Sequence, residues 1–296
     1  MSSSSETEIK MSSNNEKSFD SIIREYVLKN SPKLYILTPC YGSLCYVNYV
    51  QCIIATKELL NSYNIDIVIE FCRNDSLVSR ARNNLVAKAM NDPRMTHMLF
   101  IDADITWDPA DVLKLLIADK SLVGGVYPIK YYDWSKLTKD KNGQYDPDVI
   151  DKWLDIKKKS QFNNTISDEY MIQHRMLRYN INYIDNVLSI DANLARVKHL
   201  ATGFMMFKRC VVDQMAIAYP KTKYTDDVGF LKGSENKFAY ALFDCGVEDD
   251  HYYSEDWLFC HRWTKMGGNI YINVSINLTH TGNEDYKGCY IASVIS

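Results

Sequence analysis

The chain has 296 residues, enough for one large α/β domain or two small ones. Hydrophobic residues make up 46%, so the chain can fill a core, and a fibrous or collagen-like protein is excluded. A formal net charge of -3 leaves no basic footprint, which argues against nucleic acid as the main partner.

Residues 1–18 are mostly Ser, Asn, Glu and Lys and read as a disordered tail. Residues 1–30 contain no apolar signal core, and no stretch approaches the roughly 18 apolar residues of a membrane span. The expectation is therefore a cytoplasmic protein without a membrane span (host cytoplasm if the source is a virus). Cys40, Cys45, Cys52, Cys72, Cys210, Cys245, Cys260 and Cys289 include no Cys-x-x-Cys pair, so no structural zinc site is expected and the thiols read as reduced.

Ile22, Ile23, Tyr26 and Val27 recur at helical spacing and predict a short amphipathic helix. Residues 33–38 read as a strand ending at Pro39, 47–62 as a helix, and 65–70 as a second strand. Residues 77–90 read as a helix with Leu77, Ala81, Leu85 and Ala89 on its apolar face, and 97–101 as a buried strand running into Asp102. Asp108 as N-cap and Pro109 at the first position open a further helix, followed by a strand over 122–127. Alternating strands and helices predict a parallel, doubly wound α/β sheet. Residues 131–196 are charged, lack a clear period and read as a polar insertion with a helix between 168 and 179. Beyond it, 197–208 reads as a strand, 256–266 as a helix closed by Gly267-Gly268, and 269–276 as a strand leading to His280.

The sharpest chemical feature is Asp102-Ala103-Asp104 at the end of an apolar strand. Side chains at i and i+2 of a strand project to one face. Two carboxylates so placed can hold one hard cation with open positions for phosphate, where ligands of a parallel sheet sit. The competing reading is a pair of solvated turn aspartates. Mn²⁺ or Mg²⁺ suits oxygen ligands, and His280, before the Thr281-Gly282 turn, is a candidate third ligand that would favour Mn²⁺. Arg80 and Asn84 share a helix face at i, i+4, either for a diphosphate or as a solvated face. The loop Thr38-Pro39-Cys40-Tyr41-Gly42 ends the first strand, where an aromatic could hold a base. Ser254 can cap a helix whose first turn carries Glu255 and Asp256; one of these could instead be a general base. Glu248-Asp249-Asp250 reads as a solvated loop.

Six blocks occur in a fixed order: Ser79-Arg80-Ala81-Arg82-Asn83; Leu99-Phe100-Ile101-Asp102-Ala103-Asp104-Ile105; Val123-Gly124-Gly125-Val126-Tyr127-Pro128; Thr202-Gly203-Phe204-Met205; Ser254-Glu255-Asp256-Trp257-Leu258-Phe259-Cys260; and His280-Thr281-Gly282. Together, over about residues 33–290, they resemble the GT-A fold nucleotide-sugar glycosyltransferases of bacteria, phages and large DNA viruses. The resemblance implies one GT-A (Rossmann-like) α/β domain over 31–296, with a mixed, mostly parallel sheet flanked by helices, after an N-terminal tail and short helix over 1–30. It also implies a nucleotide-diphosphate sugar donor, usually UDP-linked, a divalent metal, and a glycan or glycoprotein hydroxyl as acceptor. It casts Asp102, Asp104 and His280 as metal or diphosphate ligands, and Thr38, Pro39, Tyr41, Arg80, Asn84, Ala103 and Gly203 as donor-side residues. Glu255 and Asp256 match the acidic pair near the acceptor, with Asp256 slightly favoured as base and inversion or retention left open. The chain departs from the family pattern in its long, polar 131–196 stretch, which has room for a homodimer contact or a lid. Two alternatives remain: a nucleotidyltransferase on sugar phosphates, and a non-catalytic glycan-binding protein of the same fold.

Overall fold

The computed structural model describes residues 17–140, 142–184 and 188–295, so the tail expected over the first residues lies almost wholly outside the described chain. In chain order the first half contains α1 (Phe19–Asn30), β1 (Lys33–Cys40), α2 (Val47–Ser62), β2 (Asp66–Arg73), α3 (Val78–Met90), β3 (His97–Ile101), β4 (Ile105–Thr106), α4 (Pro109–Ile117) and β5 (Leu122–Gly124). There follow β6 (Pro128–Tyr132), α5 (Val149–Lys159), α6 (Asp168–Met176), β7 (Leu177–Tyr179), β8 (Ile181–Asn182), β9 (Ile190–Asp191), β10 (Leu194–Val197) and β11 (His199–Leu200). The rest comprises β12 (Phe204–Lys208), α7 (Arg209–Ala218), β13 (Gly246–Glu248), β14 (His251–Tyr253), α8 (Glu255–Lys265), β15 (Ile270–Asn273), β16 (Thr279–Thr281), β17 (Asp285–Lys287) and α9 (Tyr290–Val294).

The central sheet has the order β2-β1-β3-β12-β5-β15-β10-β9. β1 pairs parallel with β2 and β3, and β5 parallel with β15, while β12 and β10 run antiparallel to their neighbours. Six of the eight strands therefore run in one direction and only β12 and β10 in the other, which makes the sheet mixed and mostly parallel. Helices cover both faces, because successive strand residues point to opposite sides. Tyr35, Leu37, Met98, Phe100, Met205 and Phe207 pack on one side with α3, α7 and α8. Leu34, Ile36, Leu99, Ile101, Phe204 and Met206 pack on the other with α1, α2 and α4. Buried on both faces, these strands read as continuous apolar runs rather than alternating ones. Removing a ring such as Phe100 from this core would cost about 3–5 kcal/mol.

Local chemistry explains several boundaries. Asp108 caps α4 through Ala110 N at 2.9 Å, and Asp111 returns a bond to Asp108 N, a complete capping box. β1 continues through Pro39, which lies beyond the last β1–β3 pair, Leu37 opposite Phe100, where a proline is tolerated. β5 stops at Gly124 rather than continuing to 127. A Cβ on Gly124 would lie 2.3 Å from the Phe204 carbonyl oxygen, so only glycine admits β12 this close.

The 131–196 stretch differs most from its reading. α6 and β7 share the residues expected to form one helix, and α5 was not expected at all. Val149, Trp153 and Ile156 recur along α5 at helical spacing, and the buried Lys157 ties it to α6 through Asp168 at 2.6 Å. β9 and β10 form an edge of the central sheet, so this part is not a detached insertion. The single strand expected over 197–208 is three pieces, β10, β11 and β12, parted at residues 201–203 where the chain crosses to a new sheet position.

Candidate active site

The carboxyl ends of β1 and β3 open into a cavity of about 500 Å³. Pro39, Cys40 and Tyr41 form one side, Val78, Ala81 and Arg82 of α3 another, and Asp102, Ala103 and Asp104 the floor. Tyr41 stands 78% exposed at the mouth, on a tight turn in which Gly42 adopts φ 66°. Leu44, Cys45 and Tyr46 complete that rim. Thr38 does not reach the cavity: it is fully buried, and its hydroxyl is 2.6 Å from the Tyr49 hydroxyl.

Asp102 and Asp104 lie on a turn after β3, closed by Ile105 N donating to Asp102 O at 3.1 Å. The turn, rather than a strand face, sets their directions, and the two carboxylates meet different partners. Arg82 Nη2 donates to Asp102 Oδ1 at 2.9 Å and Arg82 Nε to Glu255 Oε1 at 3.3 Å. Burial disfavours the charge on Arg82, but Asp102 and Glu255 outweigh it and hold the guanidinium ionised. Its Nη1 is buried with no partner. Arg82 is aimed by its neighbour: Asn83 Nδ2 donates to Phe243 O at 2.7 Å, and Phe243 N donates to Asn83 Oδ1 at 2.9 Å. The ring of Phe100 lies 5.1 Å from the guanidinium carbon.

Asp104 meets the opposite wall. Lys130 Nζ from β6 donates to Asp104 Oδ2 at 2.6 Å, and His280 Nε2 from β16 lies 3.4 Å from the same oxygen. Burial pushes the Asp104 carboxyl up, but hydrogen bonds from His280 and Lys130, and their charges, prevail and hold it below the usual carboxylate range. His280 Nδ1 lies 2.8 Å from Pro128 O, and a carbonyl only accepts, so Nδ1 carries a proton. A neutral His280 would then present the Nε2 lone pair to a carboxylate. A positive species belongs between them, either a proton on Nε2 or a metal ion. Asp104 and His280 are thus a facing pair of donors that a divalent cation such as Mn²⁺ or Mg²⁺ could bridge. Asp102 is turned to Arg82, and among the described residues no three His, Cys, Asp or Glu side chains converge in their present positions. Oxygen atoms of a bound phosphate would have to complete such a shell.

Tyr127 joins these groups. Its buried ring lies edge-on to His280 at 5.1 Å, and burial, then the charges of Asp102 and Asp256, push its phenol well above the usual range. A Cβ on Gly203 would come within 2.6 Å of that ring, so Gly203 holds the space for Tyr127, while its carbonyl accepts from Asp102 N at 3.1 Å. Asp256 is buried in the first turn of α8. Burial and the charge of Glu255 raise its carboxyl, against hydrogen bonds from Ser254 and Trp257 N. Ser254 occupies the N-cap position, but its hydroxyl donates to Asp256 rather than capping the helix.

Asp102, Ala103, Asp104, Gly203, Glu255, Asp256 and His280 therefore gather in one place, with Pro39 and Tyr41 at the cavity beside them. Arg80 and Asn84 do not line the cavity themselves, although Asp75, the partner of Arg80, does. Arg80 is held by Asp75 through bonds of 2.7–3.1 Å, and the fully buried Asn84 by Tyr224 at 2.5 Å and Asp226 at 3.2 Å. Two residues along a helix turn a side chain by about 200°, so Arg82 rather than Arg80 reaches Asp102. Lys130, Tyr127 and Arg82 are the site residues that sequence reasoning passed over. Arg82 alone carried a signal: it flanks the Ala81–Leu85 apolar face, where an arginine must find a carboxylate.

No family model matches the chain, and no curated protein matches it in sequence. Among solved structures, the crystal structure of A197 from STIV is similar over 84% of this chain and 86% of its own, at 13% identity and a TM-score of 0.43.

Proposed function

We propose that this chain is a metal-dependent GT-A glycosyltransferase that moves a sugar from a nucleotide-diphosphate donor, UDP-linked by expectation, to a hydroxyl of a glycan or glycoprotein. The observation that carries the reading is the meeting of Asp104 with His280, and of Asp102 with Arg82, on the floor of the strand-end cavity. An exposed Tyr41 at the mouth offers a face for a base, and a volume of about 500 Å³ suits a nucleotide-sized ligand. Mn²⁺ or Mg²⁺, held by Asp104 and His280 with Asp102 beside them, would offset charge on a departing diphosphate. Arg82 brings a fixed positive charge and an unpartnered N–H to the same end of the sheet, and Lys130 a second cation. Asp256, with its carboxyl raised by burial, is suited to take a proton from the acceptor hydroxyl, while Glu255 is occupied in holding Arg82.

The test is hydrolysis or transfer of UDP-sugars with and without Mn²⁺. We expect metal-dependent turnover that falls by about 10²-fold or more in Asp102→Ala and in Asp104→Ala, the scale of losing one charge-stabilising group. Turnover retained in both variants would sink the assignment. Pyrophosphate release from a nucleoside triphosphate and a sugar phosphate would replace it with nucleotidyl transfer.

A further inference from the structure

A second cavity, of about 590 Å³, lies on the far side of Trp257, between the β8–β11 pair and the β13–β14 hairpin. Its walls carry Tyr183, His199, His251, Tyr252, Tyr253 and Trp257. We propose that this cleft binds an oligosaccharide, and that it holds the acceptor glycan of the transfer; the acceptor role rests on the function proposed above, the binding does not.

Four observations lead there. The first is the exposure of aromatic rings without a packing need: Tyr252 is 74% and Tyr183 42% exposed. Exposed rings on a concave surface are matched to ligands with flat apolar faces, as pyranose rings have. The second is rigidity. Asp249 and Asp250 adopt φ 51° and 61°, the paired left-handed conformation of a two-residue hairpin turn, so the stretch read as a solvated loop is a fixed turn. That hairpin is fastened to α8 by Glu248 to Arg262 at 2.9 Å, Asp249 to Lys265 at 3.2 Å, and Tyr253 stacked on His261 at 4.7 Å. A binding surface already held in place loses little entropy when a ligand arrives.

The third is an unmet donor. His199 is 3% exposed, and its ring stacks on Trp257 at 5.1 Å and 6°. Asn182 Nδ2 lies 3.1 Å from His199 Nδ1, and an amide nitrogen only donates, so Nδ1 accepts and Nε2 carries the proton. Burial, then the charge of Lys198, pushes this ring down to about 4, so it is neutral near pH 7. Its Nε2–H is buried without a partner. An unsatisfied donor of this kind, without a partner among the described residues, costs about 1–3 kcal/mol, and since His199 lines the cleft a sugar oxygen that displaced its cover would relieve it. The fourth is charge. Nucleobases also stack on aromatic rings, but nucleic-acid grooves track phosphates with many cations, and among the described lining residues Lys198 is the one lysine or arginine. Trp257 directly follows Asp256 on α8, so the cleft and the carboxylate proposed to take the acceptor's proton are carried by adjacent residues of one helix.

The experiment is calorimetric titration of the whole chain with a panel of neutral oligosaccharides of two to four hexose and N-acetylhexosamine units, without nucleotide or metal. At least one is expected to bind, at least tenfold more weakly in Tyr252→Ala and with wild-type affinity in Ile217→Ala, a control whose side chain is 80% exposed on α7. Tyr252 is exposed enough that its loss leaves the fold intact, and circular dichroism of the variant confirms this before titration. No binding by any member, equal binding by Tyr252→Ala, or binding of a single-stranded oligonucleotide in their place would overturn the proposal. Because nucleotide and metal are absent, a failure of UDP-sugar turnover would count against the donor reading alone.

Discussion

Asp102 and Asp104 are two residues apart, yet their charges are answered from different depths of the molecule. Asp102 is met by Arg82, whose side chain is 4% exposed and also holds Glu255; Asp104 is met at the rim by Lys130, 33% exposed, and by His280. The inner side is an ion cluster centred on a guanidinium buried between α3 and α8, with Asp102 itself opening to the cavity. The outer side is a pair whose cation is partly exposed. Under the proposed function the buried cation would hold the frame of the site, and the partly exposed one would give way to an incoming ion.

The strongest way to break this contrast is Arg82→Met. Removing the cation leaves Asp102 and Glu255 facing each other without compensation, and losing one partner of a buried pair typically destabilises by about 3–5 kcal/mol. Urea unfolding measures this. A loss under about 1 kcal/mol would make the inner cluster no different from a surface pair.

Asp256→Asn sharpens the contrast by pH. The folded Asp256 carboxyl is raised, so the folded state binds its proton more tightly than the unfolded chain does. Stability then falls as pH rises from the unfolded value, about 3.9, through the folded one. The uncharged variant is expected to melt above wild type at pH 7, with the gap closing as the pH is lowered through the carboxylate range, while sugar transfer is lost. Asp104 has the opposite sign: its folded value is depressed, so its contribution is present above the unfolded value and disappears as pH falls through the folded one. An Asp256→Asn melt no higher than wild type at pH 7 would contradict the assignment of strain to that carboxyl.

The smallest effect belongs to Lys130→Ala. A partly exposed pair contributes about 0–1 kcal/mol, so the melting point should barely move. Mn²⁺ binding should tighten several-fold, since the competing ammonium is gone. Unchanged or weaker Mn²⁺ affinity by calorimetry would argue that Lys130 is not exchanged for the ion.

The same division governs what the sequence revealed. The β3 strand, the Asp108 cap and the carboxylates at the strand end are local patterns, and each was legible because neighbours in sequence create it. Arg80 and Arg82 were both visible, but only the pitch of α3 against the sheet decides between them. Tyr127 stood in one of the ordered blocks without a role, and Lys130 left no trace: they meet His280 and Asp104 after the chain has crossed the sheet, and no spacing encodes that meeting. α5 was hidden because its apolar positions are spread among lysines whose stems do part of the packing.

The bond pair between Asn83 and the Phe243 backbone spans 160 residues of chain. It closes a long loop, and contacts of such separation form late, after most of the ordering entropy has been spent. Arg82 is the residue before Asn83, so the inner ion cluster cannot assemble on the first half of the chain alone. A nascent chain that has reached residue 200 would already hold both aspartates, yet have no Glu255 to share Arg82 and no His280 to face Asp104. Under the proposed function, competence to bind a donor would then arrive only once the segment carrying Glu255 and His280 has been made.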